Sequence, residues 1–525
     1  MSRVSRRKAL AWIAAAGAAC ARTARSAAGQ VPASPPRDAP AEDRAPASKE
    51  SPHDFNLPRV GALRAPRSAA IERSAISVGF ETLDRRHFDP ARTYRLLGES
   101  GAKWARCQTG WNRCETVAGE YSFEWLDEVV DHLLEIGIQP WFNLGYGNKL
   151  YTPEATDAAA VGWAPVFTAA AREAWVRFVR AIAARFADRV KHWEIWNEPN
   201  ISHFWKPRSP SARDYVELVR LSASEIRRLV PGAVIIGGAL AGMPKGYLAE
   251  CIASDIAESI DKLSFHPYRP VPEQGYAAEV AGFRRMLGDA KAGLELWQGE
   301  NGCPSKGGPG TAGALSQLPW DERQQAKWLV RRIVTDLRLR LELTSYFHTV
   351  DLVGYRGRTN YKGLLRGDYT PKQAYTAFQC VASLLDGRSQ RAAELDGAIT
   401  LEPSGDDRPA IEVAAFRREG QPLWAYWCPS KLPTAWTAAR VGVSIAPFPP
   451  PGPELPGAGE ESPRASPTSD QPSAARIDRP VLIDSLTGVV YRLGARAQGN
   501  RLRFDSLPLL DYPLWITTEA AVVLG

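Results

Sequence analysis

No stretch of this 525-residue chain is apolar for long enough to span a bilayer comfortably. The run at residues 9–19 falls short of the roughly 20 residues that a membrane helix needs, and no later segment comes nearer. That excludes a helical integral membrane protein. Cysteine is sparse, seven residues in all, and no Cys/His spacing has the form of a zinc site. No cofactor motif appears either. An excess of charge is also missing once it is located. The formal charge of +7 includes Arg3, Arg6, Arg7, Lys8, Arg22 and Arg25, all within a first segment of 30 residues that holds no acid. Without that segment the balance is +1, which argues against an electrostatic binder of nucleic acid.

What the chain has in abundance is tryptophan, 17 residues, with 44% apolar residues to build a large core. Most of the tryptophans are expected in that core. Some are candidates for stacking on the C–H face of a sugar ring.

Residues 1–30 have the three parts of an export signal: a basic start at Ser5-Arg-Arg-Lys-Ala-Leu10, the apolar run, and a small, polar stretch at residues 21–29. The paired arginines resemble a twin-arginine signal, with a general secretory signal as the alternative. Gly17-Ala-Ala-Cys20 has the outline of a lipid-anchor cleavage site but lacks the usual leucine. The expected location is secreted or periplasmic. Such a compartment would permit a disulfide, and Cys107 and Cys114 are close enough to pair across one loop, with buried free thiols as the alternative. Residues 31–70, rich in Pro, Ala, Ser and charge, read as a disordered tether.

From residue 71 to 388, short apolar runs alternate with amphipathic segments. The runs lie at 75–80, 103–107, 140–144, 191–196, 234–237, 262–266, 295–297 and 343–347. Eight strand–helix units of this kind predict a (β/α)8 barrel, an α/β fold, closed by a helix over 371–385 with Pro371 in its first turn. From 389 to 525 the pattern changes to alternating strands, at 411–416, 423–427, 441–445, 481–483, 489–493 and 502–504. That predicts a small all-β domain, interrupted by a Pro/Gly/Ser/Glu-rich insertion at 449–473 that cannot bury a core.

The chemistry concentrates at two strand ends. In His192-Trp-Glu-Ile-Trp-Asn-Glu-Pro-Asn200 an apolar run stops at Asn197-Glu198, and Pro199 removes a backbone donor. In Leu294-Glu-Leu-Trp-Gln-Gly-Glu-Asn-Gly302, Glu300 follows another short run. Two carboxylates on different strands, flanked by Trp and Asn, suggest cleavage of a glycosidic bond. One acid would protonate the leaving oxygen while the other attacks the sugar carbon. Glu295 and Glu194 stand earlier on the same strands. Glu295 would lie about 16 Å below Glu300, near the barrel floor, and the same reasoning sets Glu194 aside.

Trp196-Asn-Glu-Pro-Asn200 resembles the acid/base motif of the clan A glycoside hydrolases. With His203-Phe-Trp-Lys-Pro207 following, it is most similar to glycoside hydrolase family 39, the β-xylosidase and α-iduronidase family. The resemblance implies a (β/α)8 barrel with a β-sandwich packed against it. It makes Glu198 the general acid/base and Glu300 the nucleophile of a retaining mechanism, with the carboxyls roughly 5 Å apart. It places Arg106 beneath the nucleophile, Asn197 on the sugar 2-hydroxyl, and His266 and Tyr268 along the site. The context of Glu300, Trp-Gln-Gly-Glu-Asn-Gly, departs from the Thr-Glu that many clan members carry.

Further candidates follow other strands. Trp111 and Trp205 are candidate sugar platforms; Asn143 and Tyr146 follow the third strand. Glu81 and Asp84 follow the first and could bind hydroxyls. On the eighth strand, where relatives often place a Trp under the sugar, stand Tyr346 and His348. The expected partner is an oligo- or polysaccharide, with xylosides as one option and no metal involved. Two alternatives use the same residues: a carbohydrate-binding barrel that no longer catalyses, and a transglycosylase.

Overall fold

The computed structural model describes residues 55–403, 409–431, 439–447 and 477–525. The expected export signal, the lipid-anchor cysteine and the insertion at 449–473 lie outside the described residues.

The first strand of the described residues is an edge strand, β1 (Arg59–Ala62), and a closed barrel follows it. The barrel strands are β2 (Ile76–Phe80), β3 (Trp104–Gln108), β4 (Gln139–Leu144), β5 (His192–Ile195), β6 (Val234–Ala241), β7 (Lys262–His266), β8 (Glu295–Asn301) and β9 (Leu343–Tyr346). They are all parallel and joined in sequence order, with β9 returning to β2. This is the eightfold barrel that the alternating pattern predicts.

The helices between strands form for local reasons. Residues Ala169–Phe186 bury Ala171, Ala174, Trp175, Phe178, Val179, Ile182, Ala183 and Phe186, a stripe at helical spacing, and Thr168 caps the first turn through the Ala171 N–H. Asp321 and Gln324 cap Glu322–Arg338 reciprocally. The last barrel helix runs Gln373–Leu384, within the expected span. Among the described residues no helix is long and apolar enough to cross a membrane.

Many tryptophans serve the core. Trp104, Trp141 and Trp297 meet edge to face at the bottom of the barrel, where His192 stacks on Trp297. Glu295 is exposed at the start of β8, as its place toward the floor requires.

Beyond a hairpin, β10 (Leu352–Tyr355) and β11 (Arg358–Asn360), the chain builds two antiparallel sheets. Their strands are β12 (Ser389–Arg391), β13 (Ile399–Pro403), β14 (Glu412–Arg418), β15 (Gln421–Trp427), β16 (Ala439–Ile445), β17 (Pro480–Asp484), β18 (Val489–Arg492), β19 (Arg496–Gln498), β20 (Arg501–Leu509) and β21 (Leu514–Thr518). One sheet has seven strands in the order β1-β18-β17-β21-β15-β14-β12, and the other has four in the order β13-β16-β20-β19. The Tyr426 hydroxyl of the first sheet donates to the Pro508 carbonyl of the second, within a shared apolar core.

One expectation is corrected here, and one alternative left open is decided. The end of the expected tether is folded: β1 pairs with β18, and the Leu63 and Arg64 N–H groups donate to Gly488 and Val523. All those partners lie more than 400 residues downstream, so a four-residue strand flanked by arginines leaves no local trace. The six described cysteines are free and buried; the Cys107 and Cys114 thiols donate to the Ala105 and Thr109 carbonyls instead of pairing.

A buried ion pair of the barrel also takes hydrogen bonds from and gives them to the sheet region. Arg331, on the Glu322–Arg338 helix, makes two hydrogen bonds to Glu273 at 2.8 and 2.6 Å, and the Trp427 indole donates to the same carboxylate. Burial works to raise the Glu273 pKa, but Arg331 outweighs it and holds the carboxyl below its ordinary value.

Candidate active site

Glu198 stands just past the C-terminal end of β5. Trp196 and Glu198 both take left-handed backbone conformations, φ 69° and 48°, which cost a residue with a side chain about 1 kcal/mol or more each. Cross-strand bonds hold them there. The Trp196 N–H donates to Leu144, the Glu198 N–H to Ala239 at 2.8 Å, and Asn200 pairs both ways with Ala241. The turn aims the carboxylate across the barrel mouth, where its Oε1 lies 3.1 Å from His266 Nδ1.

Glu300 lies inside β8, which continues four residues beyond the expected end. The register slips between Gln298 and Asn301, a bulge that turns Glu300 toward the mouth. Gly299 is required at that bulge, because a Cβ there would sit 2.1 Å from Ser264 Oγ. The departure from the usual Thr-Glu context therefore has a packing cause. Glu300 Oε2 accepts from Arg106 Nη1 at 2.7 Å, and Oε1 accepts from the Tyr268 hydroxyl at 2.8 Å. One carboxylate oxygen of Glu198, one of Glu300 and a His266 ring nitrogen lie within 4.8 Å of one another. Three such atoms could in principle hold a metal. Here the histidine is engaged with Glu198, and Glu300 with Arg106 and Tyr268, so the trio is knit by hydrogen bonds.

Arg106, fully buried on β3, is the hub beneath. Its Nε and Nη2 donate to Glu194 Oε2, Nη2 also reaches Asn197 Oδ1 at 2.9 Å, and Nη1 divides between Glu300 and Glu81. Burial opposes its charge, but Glu194, Glu300 and Glu81 raise its pKa above the ordinary value. Burial also works upward on the Glu300 carboxyl. His266, Arg106, the Tyr268 hydroxyl and Lys362 outweigh it and hold that carboxyl below the ordinary value. The Tyr268 phenol is raised, first by burial and then by Glu300, so it remains a donor. The side chains of Glu198 and Glu300 are 12% and 15% exposed, against 1% for Arg106 and 0% for Glu194. The two candidate catalytic acids therefore face the opening while the charges that set them are sealed below.

The structure thus brings together Glu198, Glu300, Arg106, Asn197, His266 and Tyr268. Other candidates fall elsewhere. Trp111 is 0% exposed, packed on Tyr151, Trp175 and Phe178, with its indole donating to Glu115. Trp205, also 0% exposed, meets Trp196, Tyr215 and Phe167 edge to face. Neither offers a sugar platform. Tyr346 faces the helix layer, accepting from Gln325 and donating to the Cys303 carbonyl. Asn143 is buried and donates to Glu194 and to the Trp196 carbonyl, so it braces the site instead of meeting a ligand. Tyr146 stacks on Phe204 and meets Trp196 edge to face, leaving 4% exposed. Glu81 is buried against Arg106 and His348 against Glu81, and Asp84 pairs with Arg85.

Two functional contributors escape sequence reasoning. Glu194 was set aside as too deep for chemistry, and that depth is what lets it anchor Arg106. Lys362, in the loop after β11, is buried with its ammonium 5.6 Å from the centre of the Tyr268 ring, and burial pulls its pKa down to about 8. Nothing in Tyr361-Lys-Gly-Leu-Leu365 marks it in advance.

With this geometry in place, comparisons with known proteins can be stated. The sequence model described as "Glycosyl hydrolases family 39" matches residues 106–294. That span includes Arg106, Glu198, His266 and Tyr268 and stops short of Glu300. A β-xylosidase of Caldicellulosiruptor saccharolyticus is 25% identical over 338 residues, 57% of this chain and 62% of that protein. A β-xylosidase of Geobacillus stearothermophilus is 25% identical over 158 residues, 28% of this chain and 31% of that protein. The chain thus spans less than two thirds of the length of these curated relatives. Among solved structures, a family 39 glycoside hydrolase from Bacteroides cellulosilyticus superposes with a TM-score of 0.59 at 20% identity, covering 85% of this chain and 81% of that one. A family 39 β-xylosidase from Caulobacter crescentus gives 0.51 at 16% identity, covering 88% and 98%. The solved structures speak for the fold. With the family match and the curated relatives, they show a chain that resembles family 39 of the clan A glycoside hydrolases.

Proposed function

We propose that this chain is a retaining glycoside hydrolase of oligo- or polysaccharides, with Glu300 as nucleophile and Glu198 as general acid/base. The observation that carries the reading is the pair of partly exposed carboxylates at the barrel mouth, an oxygen of one within 4.8 Å of an oxygen of the other, each held differently. A separation near 5 Å suits direct attack by one carboxylate and leaves little room for a water between them, as an inverting enzyme needs. Glu300, kept ionised by its cationic and hydroxyl neighbours, attacks the anomeric carbon while Glu198 protonates the leaving oxygen. A glycosyl ester forms on Glu300 Oε. Glu198, now a carboxylate, takes a proton from water, which attacks the same carbon and releases Glu300. Asn197 has its oxygen engaged by Arg106, which leaves its amide N–H groups to meet the sugar 2-hydroxyl.

The β-xylosidase relatives support a β-xyloside as the first substrate to try, and the leader of residues 1–30 supports export. A panel of aryl β- and α-glycosides and polysaccharide digests, run beside Glu198→Gln and Glu300→Gln, tests the proposal. Turnover abolished by Glu300→Gln is expected. Turnover unchanged in both variants overturns it, and sugar binding without any turnover would favour a barrel that only binds.

A further inference from the structure

Three carboxyl groups share one buried guanidinium, Glu194 and Glu81 sealed beneath the mouth and Glu300 at it, and they are not equivalent. Glu194 Oε2 accepts from Arg106 Nε and Nη2 and from Asn143 Nδ2. Glu300 accepts from Arg106 and Tyr268, with His266 3.9 Å away. Glu81, at the end of β2 and 3% exposed, has a share of Arg106 Nη1, at 3.2 Å, on Oε1, and beyond that the pull of its own backbone N–H. Its Oε2 has no hydrogen-bond partner and presses against Gly79, where a Cβ would stand 2.4 Å away. The nearest polar group is His348 Nε2 at 3.5 Å, and that nitrogen is hydrogen-bonded, at 3.1 Å, to the backbone carbonyl of Glu81 itself. The other ionisable groups around Glu81 are the Cys107 thiol and the Tyr268 phenol, neither of which supplies positive charge.

His266 and Lys362 add their pull at Glu300, but Arg106 is the one cation that acts on Glu81, so the carboxyl that keeps its proton is Glu81, the least hydrogen-bonded of the three. We propose that Glu81 is a positioning residue of this site: as a neutral acid it props Arg106 against Glu300, and on ionising it draws Arg106 away. The long contact from Nη1 to Glu81 and the short one to Glu300 are the pattern expected when one acceptor is neutral and the other charged. Burial, acting against the pull of Arg106, pushes the Glu81 carboxyl up to about 8, and burial takes His348 down to about 4, so both are neutral at pH 7. Above about pH 8 the Glu81 proton passes to solvent. Two carboxylates then compete for Nη1, and the nucleophile loses its fixed orientation.

The inference rests on the glycosidase reading for its kinetic consequence, and the test separates the two. Infrared difference spectra between about pH 7 and 9.5, spanning the Glu81 titration, are expected to show loss of a protonated-carboxyl band in the native protein and no such loss in Glu81→Gln. This readout needs no substrate, so it stands even if no glycoside is cleaved. The kinetic arm uses a dinitrophenyl glycoside, whose leaving group needs no proton, so that the ionisation of Glu198 does not enter. Glu81→Gln is expected to keep kcat/KM within about threefold at neutral pH and to lose the alkaline fall. Glu81→Asp, too short to reach Arg106, keeps a titrating band but loses rate at every pH. A native spectrum without the band, a band that survives in Glu81→Gln, or an unchanged alkaline limb in that variant overturns the proposal.

Discussion

Replacing Arg106 by methionine removes the charge on which the candidate site is assembled, and the structure sets the size of the loss. Glu194 and Glu300 would remain buried without their cation. Breaking a buried pair from one side costs about 3–5 kcal/mol, so a loss of that order is expected at neutral pH. The loss is pH-dependent with a definite sign. In the native protein the Glu300 carboxyl is held below its ordinary value, so it adds stability at neutral pH that fades as pH falls through its folded value. In Arg106→Met that carboxyl rises, the folded state takes up protons, and the variant recovers toward the native protein on acidification. Urea unfolding followed by tryptophan fluorescence, at pH 7 and again near 4, reads both effects. Activity should fall further than folding. The hydrogen bonds to Glu300 and Asn197 vanish together, and at about 1.5–3 kcal/mol each they account for roughly 10²- to 10⁴-fold in kcat/KM. Arg106→Lys keeps the charge but cannot span the four acceptors of the guanidinium, and should fall between. An Arg106→Met variant with the native urea midpoint at pH 7, or with native kcat/KM, would refute this reasoning.

Three other outcomes follow from particular contacts. Tyr268→Phe removes the 2.8 Å donor to Glu300 and should lower kcat/KM by roughly tenfold or more, with the acid limb of the pH profile shifted upward. Trp111→Ala and Trp205→Ala should each cost about 3–5 kcal/mol of stability. In urea-free assays both should leave KM unchanged within error, because both rings are core residues and neither is a sugar platform. Arg331→Met strands Glu273 between barrel and sheets. It should lower the melting temperature at pH 7, by a margin that shrinks on acidification, since the depressed Glu273 carboxyl supplies its stability only above its folded value.

Regular periodicity made the barrel legible. Each of the eight runs is a mostly buried strand, because parallel strands are covered on both faces, and the few polar residues inside them, such as Arg106 and Glu194, belong to the candidate site. The end of β5 was legible because Asn197-Glu198-Pro199 interrupts its run; β8 runs on through Glu300 to Asn301, over a bulge that no local signal marks. Individual roles were less legible. Trp111 and Trp205 follow strands, as platform residues do, but their loops fold back and bury them; position along the chain says nothing of which way a ring turns. Asn143 and Glu81 follow strands, as ligand-binding residues do, but their partners lie beneath the mouth: Glu194 and the Trp196 carbonyl for Asn143, Arg106 for Glu81. β1 was lost in the polar composition around it, since its pairing partner is β18 at the far end of the chain.

The most direct test of the central claim is covalent trapping. The protein would be incubated with the 2-deoxy-2-fluoro, dinitrophenyl form of whichever glycoside it cleaves, then digested and mapped by mass spectrometry. The account predicts one sugar per chain, attached to the peptide that carries Glu300. A label on another residue, or turnover with inverted anomeric configuration and no label, would contradict it.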